Sequence, residues 1–536
     1  MKKNNETNNT ETVVKKKYGV SNTLVNYYLA LMFTVFPLFF TEKFTNIRHD
    51  KLHVYLLLSC VLILSVGVTA VVGYFEKKRV DDLGSIKSYF ELSVTDCAFG
   101  ALIIVYVIST LLSKVPMEAF TGDSGRNNGL MIFIFYFFVY IIISRLYQRK
   151  EFVFICLAAG SLAVYLLDIL NFFYIDIFEI FISKRAGMFY GYDESVVKDF
   201  TSTIGNKNIM SAFCCLTIPI LIMLYMTSKK KYLKYLYLAS GGVGFAAMLC
   251  ADSESGFLGL VPLLMLMFLF YSRNITMLRK FFISLSAMLI AAKLLMVYSI
   301  AMEGIEKGFG TMQTVFIYDN KSFIAIALTV GIAVGLWFLE KKKPDFTVPK
   351  TVPYVILGVY AIAIAFLAGL FVRYSFIDTH SKLKGVMTFF RFDEKWGTHR
   401  GYMWIKGAEI FKNFNFIEML FGSGPDTFYT VFSPYFGELS EKFNNTSTNC
   451  AHNEFLNYLV TTGILGLGAY LTLFGSAIVR AVKTAKKNSM AVVFIAPVVC
   501  YLFQSVVNIA NPEVTPLLFI YLALSEAVVR SEKQAE

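Results

Sequence analysis

The chain has 536 residues, of which 56% are hydrophobic and only 16% are charged. A soluble domain carries about a quarter charged residues, so this composition excludes an ordinary soluble enzyme. The net charge of +12 does not indicate a nucleic-acid partner, because the lysines and arginines cluster in alternate loops between apolar runs. We therefore expect membrane lipids, and no nucleic acid, around this chain.

Apolar runs of about 20 residues, long enough to cross a hydrocarbon core, recur along the sequence. They predict an all-α polytopic membrane protein with about fourteen transmembrane helices, or twelve to fourteen if closely spaced pairs are re-entrant. The predicted spans lie near residues 23–41, 53–74, 95–112, 129–146, 152–176, 208–227, 235–251, 255–271, 282–301, 321–339, 351–373, 453–479, 490–509 and 514–529.

The positive charges predict the orientation of these helices. Clusters at 77–79, 229–231, 341–343 and 486–487 fall on one side, which should be cytoplasmic together with both termini. The predicted order along the chain is as follows: a cytoplasmic tail at 1–21, helices one to eleven within 22–373, an extracytoplasmic loop at 374–452, helices twelve to fourteen within 453–530, and a cytoplasmic tail at 531–536.

The loop 374–452 is the longest polar segment of the chain. Loops of this length are usually functional or disordered. This one holds two of the three tryptophans, Trp396 and Trp404, with several phenylalanines. That aromatic content predicts a folded loop with short helices of its own.

No nucleotide-binding motif is present in the sequence. Neither a Walker phosphate-binding loop nor a dinucleotide fingerprint occurs. A reaction on the outer face must therefore use a substrate that arrives already activated, and a lipid-linked pyrophosphate is the obvious candidate. Its recognition needs cationic donors and helix N-termini at the outer surface.

Three predicted helices begin on the outer side with such groups. Residues 122–129, which include Arg126, precede the fourth helix. Lys207 and Asn208 begin the sixth, and His452 and Asn453 begin the twelfth. The alternative is ordinary capping by Asn, Ser and Gly, which any helix start attracts. The coincidence of three such sites favours an anion-binding function.

Arg400 opens a predicted amphipathic helix in which Trp404, Ala408 and Phe411 share its face. A cation in the first turn opposes the helix dipole unless an anion lies beside it. A planar guanidinium suits a phosphate better than an ammonium does. The alternative, which the residues leave open, is a surface arginine that extends beside aromatic side chains.

Histidine occurs only five times in the chain, and His452 lies where a helix enters the membrane. Its ordinary pKa range suits a general base. On the residues alone, however, a helix cap or an interfacial side chain explains it better. The acidic residues of the outer loops are scattered, so we expect neither a metal ion nor a cofactor.

The motifs of the C-terminal half occur in a distinctive order. Arg400 and Trp404 are followed by the Gly-x-Gly-Pro turn at 422–425, the His-Asn pair at 452–453, and a glycine-spaced helix. In this combination the chain resembles the O-antigen ligase/polymerase superfamily of bacterial glycan-assembly proteins. Weaker matches at 120–129, 202–208 and 252–256 extend the resemblance over about 95–510.

Two departures from the family pattern affect the expected pyrophosphate contacts. Many members have an arginine before the motif at 202–208, where this chain has Lys198, and another where this chain has Glu254. Arg126 or Arg185 is the candidate to replace them.

The resemblance implies a metal-independent, inverting glycosyltransferase in the bacterial cytoplasmic membrane, with its active site on the outer face. Its donor would be a glycan linked to undecaprenyl pyrophosphate, and its acceptor a hydroxyl group. Arg400 and Arg126 would bind the pyrophosphate, while His452 would orient or deprotonate the acceptor. The remaining predicted substrate-binding residues are Asn453, Lys207, Asn208, Arg185, Trp404 and Gly424.

Within this family the motifs do not separate a polymerase of repeat units from a ligase of finished glycan. The Lys-, Asn- and Phe-rich composition is typical of a low-GC bacterium without lipopolysaccharide, which favours the polymerase. A flippase or exporter should instead line a central cavity with mid-membrane charges, of which Lys293 is almost the only example. A membrane scaffold would tolerate replacement of Arg400 and His452. The residues leave the oligomeric state open.

Overall fold

The computed structural model describes residues 19–41, 46–75, 91–123, 125–178, 201–343, 346–349, 351–444 and 448–535. Within this part of the chain the secondary structure is helical and no strand forms. An isolated bridge joins Asn274 and Thr347.

A long helix lies at each predicted span. The long helices are α1 Gly19–Leu38, α2 Ile47–Phe75, α3 Val94–Leu112, α4 Leu130–Leu146, α5 Glu151–Phe172, α6 Lys207–Thr227, α7 Lys231–Cys250, α8 Ser255–Tyr271, α9 Ile275–Ala301, α10 Lys321–Lys342, α11 Thr351–Val372, α12 Glu454–Thr484, α13 Met490–Gln504 and α14 Thr515–Ala535. In the described residues, ten helices are long and apolar enough to cross a membrane, and α4 and α8 are shorter apolar helices. The helical membrane architecture is confirmed at this level, while the count of fourteen crossings stays a prediction.

Helix α6 lies at the centre of the bundle. The apolar stretch of α6 is buried along its entire length, whereas the apolar stretch of α11 is not buried at all. Helix α6 packs on α7 and α13, α12 packs on α3, and α14 packs on α4 and α13. The chain therefore forms a tight core around α6, with α11 at its edge.

The segment between α11 and α12 contains short helices. They are Gly385–Phe390, Trp396–Lys412, Phe416–Phe421, Phe428–Phe432 and Phe436–Lys442. A second hydrophobic core holds this segment together; its buried members include Tyr402, Phe428, Phe432, Leu439 and Phe443.

The helix that carries Arg400 differs from its prediction in two details. Residues 397–399 have positive φ angles of 59°, 60° and 70°, so regular helical geometry begins at Arg400. Ala408 is exposed, and the buried face runs through Met403, Gly407 and Ile410 instead. The face is rotated because this helix packs against the aromatic core of its own segment.

The helices alternate in direction, so the loops gather at two ends. We call motif end the set of described loop residues 39–41, 46, 113–123, 125–129, 173–178, 201–206, 251–254, 302–320, 373–444, 448–453 and 505–514. Hydrogen bonds join these loops: Asn128 Nδ2 donates to Ala510 O (2.7 Å), and Asn508 Nδ2 donates to Asn208 O (2.9 Å). All the described candidate residues therefore lie at one end of the bundle.

Candidate functional site

His452 lies in the turn that starts α12. Asn453 is the N-cap, and its Oδ1 accepts a hydrogen bond from Leu456 N at 2.9 Å. The peptide before His452 is fixed by Trp404, whose Nε1 donates to Ala451 O at 2.9 Å. His452 has a φ of 47°, a conformation that costs a non-glycine residue roughly 1–3 kcal/mol and is concentrated at functional sites.

Arg126 belongs to a tight turn in which Asp123 O accepts hydrogen bonds from the N–H groups of Gly125, Arg126 and Asn127 at 2.8–3.0 Å. Asp426 holds this turn in place, because its Oδ2 accepts from Asp123 N at 3.0 Å and from Asn128 N at 2.9 Å. A carboxylate from the turn after Gly424 therefore positions the loop that carries Arg126.

The guanidinium of Arg126 is buried, with 5% of the residue exposed. Its Nε and Nη2 donate to Asn449 Oδ1 at 3.2 and 2.9 Å, and its Nη1 donates to Asn511 Oδ1 at 3.4 Å. Nη2 also donates to the sulfur of Cys450. Arg126 thus links three segments that are far apart in the sequence.

Arg400 lies deep among protein atoms but keeps part of its surface exposed. It makes no hydrogen bond and no ion pair with any residue that the structure describes. Burial lowers the pKa of Arg400, and the negative charge of Glu254 opposes that shift. An arginine stays protonated in proteins, so the site contains a buried cation without a bonded counter-ion.

Both arginines act on His452. Burial lowers the pKa of His452 well below its usual range, and the charges of Arg400 and Arg126 lower it further. The imidazole is therefore neutral at physiological pH, and it is partly exposed. The structure brings Arg126, Arg400 and His452 together around Cys450, whose pKa is raised by burial; we call these four residues the cationic cluster.

Lys207 and Asn208 start α6, which Asn206 caps by accepting from Asn208 N at 2.9 Å. Asn208 Oδ1 accepts from Ser253 Oγ at 2.8 Å. Ser253 precedes Glu254, whose carboxylate acts on Arg400. This motif therefore borders the cationic cluster, and the exposed Glu254 stands where the resemblance predicts an additional arginine.

Three other predicted binding residues have different outcomes. Gly424 has a φ of 122°, and an added Cβ would lie 2.5 Å from Ser113 Oγ, so this glycine allows the turn to approach the loop after α3. Trp404 contributes through its bond to the peptide before His452. Arg185 lies outside the described residues. Substrate binding by these three residues stays a prediction.

A small cavity of about 20 Å³ lies beside Asp426, enough for a water molecule. It is lined by Asn128, Glu454 and Asn457 together with Tyr106 and Tyr458. The Oδ1 atoms of Asn128 and Asn457 are buried without a hydrogen-bond partner. Burial raises the pKa of Asp426 to about 7, although Arg126 and two backbone N–H groups oppose that shift.

No sequence pattern indicates the residues that hold Arg126. Asn449 and Asn511 are 323 and 385 positions away from it, and no local pattern links them to it. Among the described residues, no group of three His, Cys, Asp or Glu side chains could hold a metal ion. Metal independence itself stays a prediction.

Comparison with known families gives one match. Residues 314–471 match a family model described as O-antigen ligase. The matched segment contains Arg400 and His452 and ends within α12, and it confirms the resemblance to the O-antigen ligase/polymerase superfamily. No curated protein matches the chain. Residues 314–471 are thus similar to the O-antigen ligase family, which comprises membrane glycosyltransferase-like ligases and polymerases.

Proposed function

We propose that this protein is an extracytoplasmic glycosyltransferase that polymerises oligosaccharide repeat units linked to undecaprenyl pyrophosphate. The observation that carries the proposal is the cationic cluster, in which no described carboxylate bonds to Arg126 or Arg400 while a neutral histidine lies beside them. Buried cations without counter-ions are costly, and they favour an anionic ligand.

In the proposed reaction the two guanidinium groups receive the pyrophosphate of the donor. They stabilise the negative charge that develops on this leaving group as its bond to the anomeric carbon breaks. The acceptor hydroxyl attacks that carbon from the opposite side, which inverts its configuration. The proton of the hydroxyl passes to the imidazole of His452, and the electron pair of the broken bond stays with the pyrophosphate.

The donor itself should make His452 a better base. In the free protein the two arginines depress the pKa of His452, so the imidazole is a weak proton acceptor. Pyrophosphate bound between them brings negative charge beside the ring and raises that pKa towards the range useful for general-base catalysis. Proton transfer is thereby linked to the presence of the donor.

Ligation of finished glycan to a lipid, wall or protein acceptor is the second candidate, because the matched family is described as O-antigen ligase. The exporter is less consistent with the contacts of Lys293. Its Nζ donates to Ile317 O and Asp319 O, at 2.7 and 3.1 Å, so this charge caps backbone carbonyls and does not line a transport path.

The test measures the length and the lipid attachment of the surface glycan in native cells that carry His452→Ala. His380→Ala, in the same loop, is the matched control. His380 is exposed and should be replaceable. Single repeat units left on the lipid carrier would support the polymerase. Full-length glycan accumulating on the carrier would identify a ligase instead. Unchanged glycan in the His452→Ala cells would refute the catalytic assignment.

A further inference from the structure

We infer that Asn449 and Asn511 are positioning residues whose neutrality matters: they fix Arg126 through amide oxygens so that its positive charge stays available to the anionic donor. This inference rests on the proposed function. It concerns how the site keeps a cation buried in a fixed position without cancelling its charge.

Every hydrogen bond of the Arg126 guanidinium within the described residues goes to a neutral group, although the carboxyl groups of Asp426 and Glu513 are close enough to interact with its charge. Asn449 Oδ1 accepts from Nε and Nη2, and Asn511 Oδ1 accepts from Nη1. The third acceptor is the thiol of Cys450, which stays protonated because burial raises its pKa. The guanidinium donors are therefore satisfied while the net charge of the group remains +1.

Several other arginines of this protein pair with carboxylates. Arg48, also at the motif end, donates to Glu513 at 3.1 Å. At the opposite end Arg480 pairs with Glu526 at 2.9 Å, and Arg145 pairs with Asp96 at 3.3 Å. A carboxylate is the usual partner because it offsets the desolvation of a buried cation. Arg126 differs from these arginines, because its hydrogen-bond acceptors are amide oxygens and a thiol.

Asn511 is itself held in the orientation that this role needs. Its Nδ2 donates to Ile509 O at 3.0 Å, and its backbone N–H donates to Thr515 Oγ1 at 2.9 Å. Only 3% of the residue is exposed. Because the amide nitrogen is engaged elsewhere, the amide oxygen faces Arg126, and the acceptor is preorganised before any ligand binds.

An aspartate in place of either asparagine separates positioning from charge. At position 449 it has nearly the same shape and accepts the same hydrogen bonds, so a purely structural role would survive the change or benefit from the new ion pair. At position 511 it also loses the hydrogen bond from Nδ2 to Ile509 O, so the comparison of stability rests on Asn449→Asp. If the charge of Arg126 serves anion binding, the added carboxylate should compete with pyrophosphate and weaken its binding by about tenfold or more.

The experiment uses the purified full-length protein with Asn449→Asp, Asn511→Asp and Asn449→Gln. Inorganic pyrophosphate is the probe, measured as an inhibitor of glycan transfer and as a thermal stabiliser. We expect Asn449→Asp to unfold at or above the wild-type temperature, and in both aspartate variants the inhibition constant and the donor KM should rise at least about tenfold. Asn449→Gln should lie close to wild type, because it keeps a neutral acceptor.

Asn413→Asp is the matched control, since it adds the same charge to an exposed position of the same segment and should change neither constant. Wild-type pyrophosphate affinity in the two aspartate variants would overturn the inference, and so would failure of Asn449→Asp to fold. If His452→Ala abolishes transfer while Asn449→Asp changes neither the inhibition constant nor the donor KM, only this inference fails. If His452→Ala also leaves transfer intact, the proposed function fails.

Discussion

The two ends of the helix bundle both bury arginines but surround them differently. Opposite the motif end, Asp96 pairs with Arg145 at 3.3 Å and also with Arg530, and Glu526 pairs with Arg480 and Arg530 at 2.9 and 3.2 Å. We call these five residues the charge clamp. It joins α3, α4, α12 and α14 with charges that largely cancel within the protein.

At the motif end the two arginines of the cationic cluster have no carboxylate within hydrogen-bond distance among the described residues. Arg126 is held by amides and a thiol, and Arg400 has no bonded partner among the described residues. Helix α12 extends between the two arrangements, with His452 before its start and Arg480 near its end. One arrangement joins helices through ion pairs, whereas the other leaves cations without a bonded carboxylate, as the proposed anionic donor requires.

Backbone strain shows the same asymmetry. Non-glycine residues with positive φ are Asn127, Tyr174, Ser202, Asp252, Glu303, Thr398, His399, Asp426, Asn444 and His452. All of them lie in loops of the motif end, and none lies in the described loops of the opposite end. Strained residues persist only where the surrounding structure holds them, and they cluster at functional sites.

The largest expected effect is that of breaking the charge clamp. Asp96→Ala leaves Arg145 and Arg530 without this partner, and breaking a buried ion pair in this way costs about 3–5 kcal/mol. We expect a clearly lower unfolding temperature in detergent and unchanged transfer per folded molecule. Loss of transfer without loss of stability would show that the clamp is not merely structural.

The second-largest effect is expected from removing the charge of Arg400 at the motif end. Arg400→Ala should lower kcat by about 10²–10³, the loss typical of removing one preorganised group that stabilises a transition state. Because it also removes a buried unpaired cation, the unfolding temperature should stay the same or rise. The control is Lys412→Ala, an exposed cation of the same helix. Equal loss of activity in both variants would contradict the assignment.

A smaller effect concerns the pH dependence of stability. The folded pKa of Asp426 is about 7, above its ordinary value of 3.8, so the folded state binds more protons than the unfolded state between these values. Stability contributed by the protonated group is therefore present at low pH and is lost as the pH rises towards 7. Relative to Asp426→Asn, wild type should lose about 1–2 kcal/mol over this range, since the neighbouring cavity admits water and reduces the full shift.

Denaturation of both proteins at pH 5 and pH 8 would measure this difference. The Asp426→Asn variant keeps a side-chain oxygen that can accept from Asp123 N and Asn128 N, so its own stability should lack this pH-dependent contribution. A pH dependence identical in the two proteins would mean that Asp426 does not titrate in this range.

The smallest effect probes backbone strain away from the cationic cluster. Glu303 is exposed and has a φ of 54°. Glu303→Gly removes the steric cost of this conformation, and we expect the free energy of unfolding to rise by roughly 0.5–1 kcal/mol. Transfer should be unchanged. A decrease in stability would indicate that the side chain of Glu303 makes a compensating contact.

Much of the helix layout was predictable because apolar runs of bilayer length and polar caps are local features. Asn206 and Asn453 were recognisable as helix starts, and both cap their helices. The rotated face around Ala408 was not predictable, since it depends on the aromatic core formed by distant parts of the same segment. Periodicity gives a helix its apolar stripe but does not identify the surface that covers it.

The sequence by itself determined where the helices lie, and its ordered motifs, Arg400 to His452, indicated the family type that the match over residues 314–471 supports. Only the tertiary structure decided which buried arginines have a carboxylate within hydrogen-bond distance. Arg126 meets Asn449 and Asn511 across more than 300 positions, and Arg480 meets Glu526 on a neighbouring helix. Packing decides whether a carboxylate or a neutral acceptor comes within hydrogen-bond distance of a buried arginine. No local pattern of residues contains that information.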